Sequence, residues 1–137
     1  MNMHTASEWL KKIFSFCVAI TAATTNGASA DCLGFENALA TFYGAPSGTG
    51  TTGNCKLQES SDDASFSDVA GAAFTQVTTA GGAKLYVMDI NLSKRQRFLR
   101  LSFTGAGGSA AGQAYGEITL LNARNVPVTQ ANTAVSV

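Results

Sequence analysis

Between Arg97 and Thr104 the chain reads RFLRLSFT, and its side chains alternate. Leu99, Leu101 and Phe103 fall on one side of an extended segment, while Phe98, Arg100, Ser102 and Thr104 fall on the other. A two-residue period with one apolar phase fits a pleated strand that buries one face, because a helix would scatter the same residues around its axis. A second segment repeats the pattern: Cys55, Leu57 and Glu59 oppose Lys56, Gln58 and Ser60. Both segments predict antiparallel sheet with one solvated side. The run Ser60-Ser61-Asp62-Asp63 carries short side chains that hydrogen-bond their own backbone and favour a turn, and Phe66 and Val69 anchor a returning strand. Leu57–Val69 therefore reads as a β-hairpin, followed by a basic strand that starts in the KRQRFLR of Lys94–Arg100.

Further strands are expected over Leu39–Tyr43, Ala73–Val77, Lys84–Leu92 and Gln113–Leu121. Turn signals separate them, at Gly44–Gly48 with the Thr/Gly stretch after it, Ala80–Gly82, Gly105–Gly112 and Asn125–Pro127. An additional strand is expected over Phe14–Ile20, with Phe14, Phe16, Val18 and Ile20 on the buried face. Before it, Thr5-Ala6-Ser7-Glu8 fits a capping box, so Ala6–Lys12 is expected to form a short helix. Many short strands at this spacing favour an all-β fold, an antiparallel β-sandwich or barrel-like domain with a short N-terminal arm or helix. The expected organisation is an arm over 1–12, one sandwich domain over 13–128 and a tail over 129–137. The predicted core comprises the apolar face of Phe14–Ile20 with Leu57, Phe66, Val69, Leu85, Val87, Leu99, Leu101, Phe103, Ile118 and Leu120.

A chain of 137 residues is enough for one such core. Charged residues make up only 13% and the formal net charge is zero, so no long-range field draws the chain to nucleic acid or to an anionic membrane. Little charge repulsion opposes self-association either. The densest charge is Lys94, Arg95, Arg97 and Arg100, whose expected intramolecular partner is the acidic turn of Asp62, Asp63 and Asp68. Its alternative use, for Lys94, Arg95 and Arg97, is a protein interface.

Three cysteines, Cys17, Cys32 and Cys55, stand without a CxxC pair and with His4 as the sole histidine. Neither a zinc site nor a disulfide framework follows, and buried free thiols are expected. The order Lys11-Lys12, Ile13–Ala23 and Ala28-Ser29-Ala30 has the parts of a secretory leader that would be cut before Asp31. Glu8 in the basic part, the hydroxyls that dilute the apolar part and the polar TTNG weigh against it, so a retained strand is expected. The run is short for a membrane span. Gly105-Ala106-Gly107-Gly108 carries no lysine and opens no helix, which makes it a flexible hairpin tip and not a phosphate loop. Asp62 and Asp63 lack EF-hand spacing. With one histidine in the arm, no catalytic constellation, cofactor site or metal site is expected.

LQESSDDASFSDV, the KRQRFLRLSF strand and the closing LNARNVPV together resemble a family of small β-rich virion proteins encoded among the head genes of tailed bacteriophages: capsid decoration, cement or minor head proteins. The resemblance runs from about Ala28 to Val128 and does not extend to Met1–Thr25. It implies a structural role on the outer surface of an assembled capsid, with the major capsid protein as partner and a homo-oligomer, a trimer favoured, at local symmetry axes. It implies assembly in the host cytoplasm and brings no catalytic residue. The residues expected at protein interfaces are Trp9 in the arm, Lys94, Arg95 and Arg97, together with the tail after Pro127. The alternatives are a secreted or surface β-sandwich module that binds carbohydrate or a receptor, and a tail or head-fibre component.

Overall fold

The computed structural model describes residues 9–125 and 128. The predicted capping box, His4 and the tail over 129–137 lie outside the described residues. The described chain forms ten strands: β1 (Lys11–Ala19), β2 (Thr24–Asn26), β3 (Ala30–Asp31), β4 (Phe35–Ser47), β5 (Thr52–Ser60), β6 (Ser67–Ala73), β7 (Val77–Thr78), β8 (Lys84–Asn91), β9 (Phe98–Ala106) and β10 (Ala111–Ala123). All pairings are antiparallel. Sheet A runs β1-β10-β4-β8, and sheet B runs β2-β9-β5-β6, with β3 also on β9 and β7 also on β5. The fold is the expected all-β sandwich.

The two sheets meet through aromatic rings. Phe16 of β1 stacks on Phe103 of β9 at 5.6 Å between centroids, Phe103 meets Phe42 of β4 at 5.8 Å, and Phe42 meets Phe74 at 5.5 Å. Phe74 in turn stacks on Tyr86 of β8 at 6.5 Å. The predicted phase of β9 holds, since Leu99, Leu101 and Phe103 are all buried, as are Leu57, Ile118 and Leu120. The Leu57–Val69 hairpin also forms, Gln58 pairing with Asp68 and Glu59 with Ser67.

Several expectations are corrected. Phe14 is 57% exposed, not buried. The register of β1 against β10 shifts between Phe14 and Phe16, so Ser15 is an extra residue that reverses the phase. Leu85 and Val87 are likewise exposed, and Tyr86, Met88 and Ile90 face inward instead. Both phases of KLYVMDIN are apolar, and the stacking of Tyr86 on Phe74 decides between them. The strand expected over Ala73–Val77 breaks, because Phe74 leaves the ladder to fill the space beside Phe42 while its N–H bonds Cys55 O at 2.9 Å. Lys11 and Lys12 belong to β1, not to a helix. Lys94 ends a 3-10 turn, and Arg95–Arg97 precede β9 rather than forming part of it.

The glycine stretch after β9 is not a hairpin tip, because β9 lies in sheet B and β10 in sheet A. That loop crosses between the sheets beside the β4–β5 crossing, and Thr51 Oγ1, fully buried, donates to Ser109 O at 3.1 Å to tie the two crossings together.

One seam of the sandwich is stitched. Between β2 and β3 the backbone bridges the sheets: Gly27 N–H bonds Leu101 O of sheet B at 2.8 Å, and Ala28 N–H bonds Ser15 O of sheet A at 3.0 Å. A Cβ at Gly27 would lie 1.9 Å from Ser15 Oγ and 3.1 Å from Leu101 O. Ser15 Oγ is itself buried with no hydrogen-bond partner. Ser15→Ala is therefore expected to stabilise the fold by about 1 kcal/mol, since it removes an unsatisfied hydroxyl. Gly27→Ala should cost about 1–3 kcal/mol by overpacking, and the double variant should recover part of that loss in urea unfolding. A Gly27→Ala protein as stable as the parent would contradict this close approach.

Candidate functional site

The outward residues of sheet A form rows set by the strand register. One row reads Cys17, Tyr115, Tyr43, Leu85, and the next reads Phe14, Glu117, Thr41, Val87. Leu85 is 65% exposed, Val87 56% and Tyr43 38%. Phe14 and Tyr115 pack at 5.7 Å between centroids. The one charged group inside these rows is Glu117, and it is neutralised in place: Lys12 Nζ lies 3.0 Å from Oε1, and Tyr115 Oη donates to Oε2 at 2.6 Å. Burial pushes Glu117 upward, yet these two partners outweigh it and hold the carboxyl below its usual range. The same hydrogen bond, with burial, pushes the Tyr115 phenol up to about 12. The phenol therefore stays protonated and the face keeps an apolar character.

Sheet B is the opposite. Its outer side is a polar network in which Lys56 and Gln58 both reach Asp68, at 2.6 and 2.7 Å, and Arg100 Nε donates to Gln58 Oε1 at 2.8 Å. The Arg100 guanidinium lies over the Phe66 ring at 4.1 Å, which puts Phe66 on this outer side beneath a cation and not in the core. Ser102 Oγ donates to Asn26 Oδ1 at 2.8 Å. Exposed pairs of this kind add little stability, but they engage Lys56, Gln58, Asp68, Arg100 and Ser102 with one another or with Asn26.

The basic residues singled out in the sequence gather at the end of the sandwich near the 3-10 turn (Leu92–Lys94), and their partners differ from those expected. Arg97 makes a two-pronged bond to Asp31, Nε to Oδ1 at 2.9 Å and Nη2 to Oδ2 at 2.8 Å. That bond holds the Asp31 carboxyl below the usual range. Arg95 lies 3.6 Å from Glu59, which also accepts the Gln96 N–H at 3.0 Å. The acidic turn serves other ends. Asp68 binds Lys56, and Asp62 Oδ1 accepts from the N–H groups of Ser65 and Ala64 and from Ser60 Oγ, at 2.8, 2.9 and 2.7 Å. The turn is self-contained because a carboxylate that follows a strand end finds backbone donors nearer than any side-chain cation. Lys94 is exposed, and no carboxylate among the described residues pairs with it. Trp9, 45% exposed, precedes β1 at the same end, since Lys11 beside it is close enough to Asp31 to lower that carboxyl further.

The apolar face was missed by the sequence reading, which assigned Leu85 and Val87 to the core and Phe14 with them. A signal was present: IFSFCVAI and KLYVMDIN are apolar in both phases, and a strand of that kind needs cover on both sides. Cys32 and Cys55 are buried, as expected, but Cys17 is exposed in the apolar rows. Among the described residues no three His, Cys, Asp or Glu side chains are grouped to hold a metal ion, and no helix is long and apolar enough to cross a membrane.

No protein-family model matches the chain, and no curated protein sequence matches it. Its structure is similar to solved structures at low identity. The PBSX exported protein XepA is 14% identical with a TM-score of 0.53, over 92% of this chain and 42% of that one. A chain of infectious bursal disease virus, Gx strain, is 18% identical with a TM-score of 0.50, over 86% and 34%. The SPBc2 prophage-derived protein YomS is 9% identical with a TM-score of 0.49, over 88% and 100%. At these identities the likeness is one of fold alone.

Two measurements test this description. Desolvation pushes the Cys32 and Cys55 thiols up to about 12, so a thiol-alkylating reagent at neutral pH should add one group to the native protein, at Cys17, and three after unfolding, read by intact mass. Asp62 has a folded pKa of about 2, held down first by Ser65 N–H, against about 3.9 in an unfolded chain. Its contribution is thus present in full above about pH 4 and is lost as pH falls towards 2. The melting-temperature gap between the parent and Asp62→Ala should be open at pH 7 and narrow as pH falls from about 4 through about 2.

Proposed function

We propose that this chain is a non-catalytic structural protein of a phage virion, which binds the outer surface of the assembled capsid through the apolar face of sheet A and stabilises the shell. The observation that carries the reading is the contrast between the two outer faces. One sheet presents a satisfied polar network, and the other presents Phe14, Tyr43, Leu85 and Val87 around a neutralised Glu117. Contiguous apolar surface of this kind marks a contact site. With strands about 4.8 Å apart and rows about 7 Å apart, these two rows across four strands offer roughly 270 Å². That is well below the ~800 Å² per partner of a stable pairwise interface, so single copies bind weakly and a homo-oligomer, a trimer in this reading, gains hold by multivalency. Binding only the assembled shell stabilises it by mass action.

The fold shared with phage-derived proteins is compatible with this assignment and with export. Retention of the N-terminus is part of the proposal, because β1 contributes Phe16 and Ile20 follows directly in the core, both of which cleavage before Asp31 would remove. Cytoplasmic assembly without a leader predicts an intact mass that includes these residues. A second reading, a surface module that binds carbohydrate, draws on the Phe14, Tyr115 and Tyr43 rings, which offer stacking surfaces on three adjacent strands. The zero formal net charge supports neither nucleic acid nor membrane as partner.

The test is shell binding. Leu85→Lys combined with Val87→Lys changes two exposed positions, so the fold should keep its stability within about 0.5 kcal/mol, while occupancy on purified, tail-free heads should drop at least about tenfold. Unchanged occupancy would overturn the assignment of this face, and capture of a glycan by the parent but not the variant would favour the second reading.

A further inference from the structure

The second seam of the sandwich is open. Among the described residues β8 hydrogen-bonds only to β4, and β6 only to β5, so no ladder of described strands joins them as Gly27–Ala28 joins the other side. Between them lies a cleft of about 300 Å³ whose floor is Leu57, Val69, Ala72, Met88 and Ile90. Its rim at the 3-10 turn carries Lys94 and Arg95. Asp89 also borders the cleft, but its side chain belongs to the outward row of sheet A with Leu39.

The two free edges differ. The ladder of β6 is interrupted, with a register shift opposite Lys56–Gln58 and Gly71 at a φ of +74°. Strand β8 pairs without interruption from Lys84 to Asn91, so its outer edge presents an unbroken row of alternate N–H and C=O groups. Such an edge, beside an apolar slot, is the arrangement that takes up one more extended strand, main-chain bonds supplying affinity and alternate side chains filling the slot.

We infer that the cleft between β6 and β8 is a binding site for an extended peptide segment that pairs with β8, places alternate small apolar side chains over Leu57, Met88 and Ile90, and sets a carboxylate against Lys94 and Arg95. The charge decides the occupant. Lys94 has no carboxylate partner among the described residues, and Arg95 is engaged by Glu59 only at 3.6 Å, so this end of the slot favours an acidic residue. The chain's own segment 126–137, VPVTQANTAVSV, holds no Asp or Glu. Self-occupancy, by the stretch 1–8 with its Glu8 or by a second copy, is an outcome of the test, and a segment of another protein fits this charge. Its owner rests on the virion reading: an acidic, strand-forming segment of the shell protein, which would let each copy grip the capsid by a strand as well as by the sheet A face.

The experiment uses the full chain and a blocked octapeptide, EEVTVTVT, with KKVTVTVT as its control. Binding of the acidic peptide should slow amide exchange at alternate residues of β8 and shift the signals of Val69, Ala72 and Met88. Lys94→Glu, at an exposed position, should weaken it about tenfold, and Ala72→Arg should block the slot. Equal binding of the two peptides, or protection on Phe14, Tyr43 and Val87 instead of the cleft, would overturn the inference. So would outward β8 amides, those not bonded to β4, that are already protected in the dilute chain alone, or that become protected as its concentration rises, since the slot would then hold the chain's own segment or a second copy. Shell binding is read in parallel. If Leu85→Lys with Val87→Lys abolishes it while Lys94→Glu and Ala72→Arg do not, the face stands and the cleft site fails as a shell contact; if the peptide binds the cleft while the parent chain shows no occupancy on purified heads, the virion assignment fails and the peptide site stands.

Discussion

The contact between Phe103 of sheet B and Phe16 and Phe42 of sheet A is the interaction on which the rest depends. Each ring comes from a different strand, and together they fix the spacing of the sheets and the rotation of each strand about its own axis. Once Phe42 is inward, Tyr43 must be outward, and the register of β4 carries that choice to Tyr115 on one side and Leu85 on the other. Phe74 extends the stack to Tyr86 and thereby selects the phase of β8. The exposed face of sheet A is thus a consequence of how the core is filled.

The bulge at Ser15 belongs to the same logic. Strand β1 must place Phe16 against Phe103 and also let Ala28 reach Ser15 O to close the seam. An uninterrupted strand with Phe16 inward would turn Phe14 inward as well. The extra residue resolves the conflict by turning Phe14 out onto Tyr115, and leaves a buried, unpartnered hydroxyl as its cost. Closure of one seam with the other left open makes the sandwich asymmetric from edge to edge, just as the rows of sheet A and the network of sheet B make it asymmetric from face to face. Both asymmetries leave apolar surface on β8, and that strand borders both proposed contact regions.

The proposed assembly role rests on this surface. Several of the titratable groups lie in outer-face pairs with a structural partner: Arg97 with Asp31, Lys56 with Asp68, Glu117 with Lys12 and Tyr115. The side chains left without such commitments include the apolar ones on the outer rows of sheet A and in the cleft, and Lys94 at the cleft rim. Weak individual contacts repeated over several copies suit a protein that must hold an assembled surface and ignore its separate subunits.

The sequence by itself determined the all-β class, the inward phase of β9 and the Leu57–Val69 hairpin, because in each of these one phase is apolar and the other polar, and the turn between β5 and β6 is made by residues that bond their own backbone. The polar outer side of sheet B was legible for the same reason. Only the tertiary structure decided the rest. In IFSFCVAI and KLYVMDIN both phases are apolar, so local pattern leaves the direction of Phe14, Leu85 and Val87 undetermined, and the packing of Phe16 and Tyr86 settles it. Charge partners were equally beyond local reading. Asp31 and Glu59 meet Arg97 and Arg95 because strand pairing brings distant segments side by side, whereas the acidic turn satisfies itself within a few residues. A pattern of period two specifies a strand and its wet side; which strands lie at an edge, and what their second apolar face is left to cover, depends on contacts that exist only after the sheets have packed.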